Sequence, residues 1–188
     1  MNKLSVITVQ NKWRPEIFYS TFAIDYIAIN EWLAQYTDNH SKPYNEVSDS
    51  SLSIALDLYD HAETEAVWQY LGLPENRSVT YVPILTCPDD VDLDCTVRVV
   101  EQRYDKKFVY WERFGVLIDD IEKQNAEAVE WFIGIPKVIF DRDNFIQVFK
   151  QLNSEISKEY YDRGEEINIP FPAKPIKEEW EKIVDSWF

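Results

Sequence analysis

The segment from Cys87 to Cys95, CPDDVDLDC, carries the side chains whose types and spacing most clearly suggest a binding site in this sequence. Asp90, Asp92 and Asp94 have the D-x-D-x-D spacing of a calcium-binding loop, and Glu101 stands at the twelfth position, where such a loop places a bidentate carboxylate. The sixth position, which needs glycine for a sharp turn, holds a cysteine instead. These four acidic residues are therefore weak candidates for a metal site.

The same aspartates have two other interpretations. In an extended chain their carboxylates would repel each other unless a cation, a basic partner or solvent neutralised them. Asp89, Asp90, Asp92 and Asp94 are thus candidates for pairing with Lys or Arg side chains of a partner protein. Alternatively, they form a solvated edge that discourages strand-to-strand aggregation.

One cluster has residue types suited to acid–base chemistry. Asp57, Asp60 and His61 are close in sequence, at the predicted junction between a strand and a helix. Imidazole and carboxylate groups are the usual carriers of protons in enzymes. The sequence offers them no third partner, and a lone histidine at a helix start is more often a cap or a surface residue, so they are only weak catalytic candidates.

Signatures of nucleotide, metal and hydrolase chemistry are missing from the sequence. It has four glycines, none of them in G-x-G spacing, and it contains no G-x-S-x-G or H-E-x-x-H motif. Its two cysteines lack C-x-x-C spacing and have no neighbouring histidines, so a structural zinc site is not expected. We therefore expect a non-catalytic protein without a cofactor.

A long β-hairpin, at about residues 93–119, is predicted to position these groups. Side chains alternate along residues 95–104 and again along residues 108–118, and β-branched and aromatic residues dominate both runs. The alternation predicts Phe108, Tyr110, Glu112 and Phe114 on one face of the second strand, and Val109, Trp111, Arg113 and Gly115 on the other. Gly115 is interpreted as a bulge or as a point where another element approaches closely.

The remaining pattern predicts an α+β fold with a mainly antiparallel sheet and three to four helices packed on it. Further strands are predicted at residues 4–9, 16–22, 52–58 and 78–85, with short apolar runs at 129–133 and 137–140. Helices are predicted at residues 29–36, 61–71, around 145–152, and from about Ile176 to Trp187. We expect residues 1–161 to form one domain, and residues 162–188 to add an extended connector and a C-terminal helix.

Charge and composition limit the class of protein. A formal net charge of −15 argues against a nucleic-acid partner and against anionic membrane surfaces. The excess is concentrated, because residues 51–100 carry two basic residues against nine acidic ones. No apolar stretch is long enough to span a membrane, and the start of the chain does not resemble a signal peptide. Two cysteines suggest reduced thiols and a cytoplasmic location.

Aromatic residues make up 15% of the chain, and most are expected to fill the core of a sheet-and-helix protein. Those that stay exposed would be anchors for a protein partner or surfaces that stack on sugars. Tyr110 and Trp111 on the hairpin are the candidates for this role. Bacterial immunity proteins, which neutralise basic nuclease toxins, are similar in size, acidity and lack of a catalytic motif. The leading hypothesis is therefore a non-catalytic binding protein, monomeric or homodimeric, with a basic protein partner.

Two other functions stay open at this stage. One is a small hydrolase or sugar-binding domain that uses the carboxylates of Asp57 and Asp60 beside an aromatic-lined pocket. The other is a structural subunit that associates with its own copy through the predicted helix from Ile176 to Trp187.

Overall fold

The computed structural model describes residues 1–12, 15–16, 18–37, 48–58, 60–73, 79–89 and 91–162, without the side chains of residue 61 and residues 157–162. The connector and the helix predicted between residue 163 and the C-terminus lie outside these residues, as does Asp90. Among the described helices, none combines the length and the apolar character that crossing a membrane would require.

The described chain is an α+β fold with two antiparallel sheets. Its strands are β1 (Leu4–Gln10), β2 (Phe18–Ile24), β3 (Ile27–Ala28), β4 (Ser53–Ile54), β5 (Val79–Thr86), β6 (Arg98–Tyr104), β7 (Phe108–Leu117), β8 (Val129–Trp131) and β9 (Val138–Asp141). Its helices are α1 (Ile29–Thr37), α2 (His61–Leu71) and α3 (Arg142–Asp162). The predicted fold class is confirmed.

The predicted hairpin lies at the centre of the larger sheet. This sheet has the order β4-β5-β6-β7-β8, while β1, β2 and β3 form the smaller one. The edge of β7 that faces away from β6 pairs with two short strands. Strand β9 pairs with residues 108–111 and β8 with residues 115–117. Gly115 permits the second pairing, since a Cβ added there would lie 2.4 Å from the carbonyl oxygen of Glu130.

The alternation along β7 is broken by one residue. Glu101 pairs with Arg113 but Gln102 pairs with Trp111, so Glu112 is an extra residue, a β-bulge. The bulge turns both Trp111 and Phe114 into the core, where their rings meet edge to face at 6.3 Å. The predicted placement of Phe114 on the face opposite to Trp111 is therefore wrong.

One hydrophobic core joins both sheets to all three helices. Aromatic contacts mark it: Phe22 of β2 meets Trp111 of β7, and Trp68 of α2 meets Phe149 of α3. On the opposite face of the larger sheet, a smaller apolar cluster contains Val99 and Ile121. The hairpin therefore has buried side chains on both faces at its β7–β8 end.

The strand predicted at residues 52–58 is shorter than expected, because only Ser53 and Ile54 pair with β5. Beyond them the chain leaves the sheet and is held by side chains of α2. The indole nitrogen of Trp68 donates to the carbonyl oxygen of Leu56, and the hydroxyl of Thr64 accepts from the N–H of Leu58. The apolar residues that suggested a longer strand, Leu52, Ile54, Leu56 and Leu58, are all buried in the hydrophobic core.

Candidate functional site

A cleft of about 620 Å³ lies where the start of α2 meets the two ends of the central hairpin. The antiparallel pairing of β6 with β7 explains part of it, because the residues before β6 must lie beside those after β7. Its acidic lining residues are Asp60, Glu63, Asp94, Asp119, Asp120 and Glu122. Its other lining residues are Ala62, Ala66, Leu93, Cys95, Leu117, Ile118 and Ile121. We call this feature the acidic cleft.

The first wall of the acidic cleft is the N-terminus of α2. Asp60 caps this helix, because its Oδ1 accepts hydrogen bonds from the N–H groups of Ala62 at 2.7 Å and Glu63 at 3.2 Å. The C-terminal end of α2 is closed at Gly72, as the sequence predicted. One turn into the helix, Glu63 reaches across to the second wall, where its Oε2 accepts from the N–H of Leu93 at 3.3 Å.

The second wall is the loop before β6. Asp92 shapes this loop, since its Oδ1 accepts from the N–H groups of Asp94 at 3.1 Å and Cys95 at 3.0 Å. The hydroxyl of Thr86 fixes the same turn by donating to the carbonyl oxygen of Asp92 at 2.6 Å. The side chain of Asp94 is exposed and makes no hydrogen bond or ion pair with the described residues.

The third wall follows β7. Asp120 caps a short 3₁₀ turn at residues 121–123 through the N–H of Glu122, and Asp119 pairs with Lys123 at 2.6 Å. Within the described chain, the carboxylate of Glu122 has no hydrogen-bonding partner, and Ile118 beside it is 61% exposed. The wall therefore combines the available carboxylate of Glu122 with exposed apolar surface.

The pKa of Glu63 is raised by its burial and by the carboxylates around it. Burial raises the pKa of its carboxyl group, and the nearby carboxylates of Asp60, Asp92 and Asp94 raise it further. The hydrogen bond from Leu93 acts in the opposite sense but is outweighed. Lys123 lowers the pKa of Asp119 by hydrogen bonding to it. None of the described lining residues is basic, so the acidic cleft is a concentrated negative site.

Within the described part of the chain, the structure does not bring the metal candidates Asp92, Asp94 and Glu101 together. Asp92 is turned into its own loop, whereas Glu101 is buried in the larger sheet between Arg103 and Arg113. No group of three or more His, Cys, Asp or Glu side chains in the described ranges could hold a metal ion. The structure therefore offers no support for the calcium-loop interpretation.

The catalytic candidates separate in a similar way. Asp60 lies in the acidic cleft, but as a helix cap its Oδ1 is already engaged. Asp57 is half-buried and is not a lining residue of the cleft. His61 begins α2, and its side chain lies outside the described residues.

The partner-binding candidates fall into three groups. Asp89 and Asp94 are exposed, and Asp94 lies in the acidic cleft. Tyr110 is half-exposed and donates its hydroxyl hydrogen to Asp105 at 2.7 Å. Trp111, by contrast, exposes 0% of its surface and donates its indole hydrogen to Gln102 at 3.0 Å. It is a core residue and does not reach the protein surface.

Sequence reasoning missed Glu63, Ile118, Asp119, Asp120 and Glu122. A signal for the four that follow β7 was present, because a hairpin across residues 93–119 places the residues after β7 beside the aspartates that precede β6. Glu63 could not have been found this way, since α2 meets the hairpin only through tertiary packing.

Comparison with known proteins adds no relative, because no family model, no curated protein and no solved structure matches this chain.

Proposed function

We propose that this chain is a non-catalytic binding protein that docks a basic protein partner and neutralises it, as bacterial immunity proteins do with basic toxins. The observation that carries the proposal is the acidic cleft, with six acidic residues and no basic one among its described lining residues. Clefts lined by charges of one sign focus the electrostatic field and speed the arrival of an oppositely charged partner. The net charge of −15 acts in the same direction.

Two features of the acidic cleft suit Lys or Arg side chains in particular. The carboxylates of Asp94 and Glu122 have no hydrogen-bonding partner in the described chain, so they can pair with an incoming cation without losing an internal contact. Leu93, Leu117 and Ile118 offer apolar surface for the aliphatic stem of a basic side chain. Charge would thus set the rate of association, while the apolar contacts contribute to the lifetime of the complex.

The hydrolase alternative has less support. Asp60 serves as a helix cap, and Asp57 lies away from the acidic cleft. The cytoplasmic location stays part of the proposal, and it is supported by Cys87 and Cys95, which form no disulfide bond within the described residues.

A capture experiment with matched variants tests the proposed function. The tagged protein is immobilised and exposed to a lysate of the organism that produces it, at low salt and at roughly 0.5 M salt, where the Debye length is only a few ångströms. We expect one basic protein in stoichiometric amount at low salt, with less of it at high salt.

The cleft variant for this experiment is Asp94→Lys with Glu122→Lys. Its control is Glu16→Lys with Glu130→Lys, which makes the same change in net charge at exposed positions outside the acidic cleft. The cleft variant should lose the partner and the control should retain it. Equal retention by both variants, or no stoichiometric partner at either salt concentration, would contradict the proposed function.

A further inference from the structure

The exposed face of the larger sheet carries a second charged arrangement, built on the buried carboxylate of Glu101. Its Oε1 accepts from Nε of Arg103 at 2.9 Å and from Nη2 at 2.8 Å. Its Oε2 accepts from Nε of Arg113 at 2.6 Å and also contacts Nη2 of that residue. Glu101 is 3% exposed, whereas the side chains of Arg103 and Arg113 are 53% and 45% exposed. We call the two guanidinium groups the arginine pair.

The arginine pair keeps unused hydrogen-bonding capacity. Each guanidinium has five N–H donors, and Glu101 engages only Nε and Nη2 of each. The Nη1 groups make no hydrogen bond to any residue in the described ranges. Two positive charges shared with one carboxylate also leave one positive charge uncompensated. The hydrogen bond to Glu101 raises the pKa of Arg103 and the charge of Glu112 raises it further, but Glu112 is itself paired with Lys137 at 2.8 Å.

The surroundings hold the arginine pair in place. Tyr81, Glu101 and Arg113 lie directly opposite each other on the adjacent strands β5, β6 and β7. The guanidinium of Arg113 lies 4.2 Å from the centre of the Trp131 ring, which in turn is 6.0 Å from the ring of Tyr81. Fixed side chains lose less conformational entropy when they bind a ligand. Arg, Trp and Tyr are also the residues that contribute most often to binding at protein interfaces.

We propose that Arg103 and Arg113 bind a carboxylate group carried by an acidic peptide segment of a partner. The remaining charge selects this ligand class, because one carboxylate neutralises it. A phosphate monoester carries close to two negative charges at neutral pH and would leave the site negative in an already acidic protein. This site lies on residues that do not line the acidic cleft, so it does not depend on the proposed function.

The test is a titration followed in ¹⁵N NMR spectra at constant ionic strength. The side-chain N–H signals of arginine report on the wild type, and the backbone N–H signals of β6 and β7 report on variants that lack these arginines. The probes are acetyl-Gly-Glu-Gly-amide, its Gln-containing counterpart and phenyl phosphate. We expect saturable shifts of the Arg103 and Arg113 signals with the Glu peptide only. Absence of saturation, or equal shifts with the Gln peptide, would overturn the proposal; tighter binding of phenyl phosphate would overturn the choice of ligand.

Two variants separate ligand binding from folding. Arg103→Lys with Arg113→Lys retains both charges and the pairing with Glu101 but removes the forked donors, and it should weaken binding of the Glu peptide about tenfold. Arg103→Gln should also weaken binding, while Lys150→Gln, which removes one charge from the exposed side of α3, should not. An unchanged affinity in the folded double Lys variant would overturn the role of the arginine pair.

Discussion

Glu63 in α2 accepts a hydrogen bond from the backbone N–H of Leu93 at 3.3 Å, and this contact joins two walls of the acidic cleft. The same carboxylate is partly buried beside Asp60, Asp92 and Asp94. Desolvation and repulsion therefore disfavour the charged form of the residue that connects the walls. A loss of folding stability at this position is expected where negative charge serves binding, because binding sites are often less stable than they could be.

The first prediction concerns Glu63→Gln. The amide oxygen of Gln can still accept from Leu93, so the substitution mainly removes the charge. The pKa of Glu63 is raised in the folded protein, so the folded state binds more protons than the unfolded state between the two pKa values, and stability contributed by this group falls as the pH rises. At neutral pH the variant should therefore be as stable as the wild type or more stable, by up to about 0.5 kcal/mol.

Urea denaturation at several pH values checks this prediction. The advantage of the Gln variant should shrink as the pH is lowered toward about 4.3, the ordinary pKa of a Glu side chain, and be lost below it, because Glu63 is then protonated in both states of the wild type. A variant that is less stable than the wild type at neutral pH would show that the charge of Glu63 contributes favourably to folding.

The second prediction concerns a buried ion pair at the start of β6. Nη2 of Arg98 lies 2.6 Å from Oδ1 of Asp49, and the two side chains are 2% and 0% exposed. Asp49→Ala leaves the guanidinium buried without its partner and should lower the free energy of unfolding by about 3–5 kcal/mol. Urea denaturation measures the loss. A loss below about 1 kcal/mol would mean that the pair is not buried in solution.

The matched double variant, Asp49→Leu with Arg98→Met, should recover most of the stability lost in Asp49→Ala. Replacing both charges by apolar groups removes the desolvation cost together with the attraction. A double variant as unstable as the single one would indicate that the stability comes from other contacts of these residues, such as the one between Asp49 and Thr37.

The third prediction distinguishes two neighbouring aromatic residues. Trp111→Ala should cost about 3–5 kcal/mol of stability because it leaves a large cavity and removes the donor to Oε1 of Gln102. Tyr110→Ala should cost less than about 1 kcal/mol, since its ring is half-exposed and its hydroxyl contacts only the exposed Asp105. Thermal or urea denaturation of both variants compares them directly. Similar losses would contradict the placement of Trp111 in the core and of Tyr110 at the surface.

The fourth prediction tests the edge of the hairpin. In Gly115→Ala the new methyl group would lie 2.6 Å from Cγ1 of Val129, in addition to its contact with the backbone of Glu130. The strand β8 must move away, and we expect a loss of about 1–3 kcal/mol. Hydrogen exchange should show weaker protection of residues 129–131. Unchanged protection and stability would mean that β8 does not pair with β7 at this position.

Local sequence signals predicted much of the fold. The helix predicted at residues 61–71 matches the bounds of α2, and the alternation of Val99 with Arg98 and Val100 indicated the two faces of β6. These features depend on residues that are close in sequence. The same holds for α3, which begins after Asp141, whose Oδ1 accepts from the N–H of Asn144 at 2.9 Å.

What could not be predicted depends on distant contacts. The bulge at Glu112 arises from how β7 pairs with β6, and no glycine or proline marks it in the sequence. The chain after Ile54 follows α2 because Trp68 and Thr64 bind its backbone groups, which no local pattern reveals. The acidic cleft forms only where α2 meets the hairpin. The sequence therefore showed an excess of acidic residues but not that these residues lie together in one site.

The measurement that tests the central claim most directly is the association rate constant of the captured basic partner as a function of salt. For the wild type and for the Glu16→Lys, Glu130→Lys control, the rate constant at roughly 0.02 M salt should exceed that at 0.5 M by at least about tenfold. The Asp94→Lys, Glu122→Lys variant should lose most of this difference and bind more weakly. A rate constant that is insensitive to salt, or equally affected in both variants, would contradict a role for the acidic cleft in docking a basic partner.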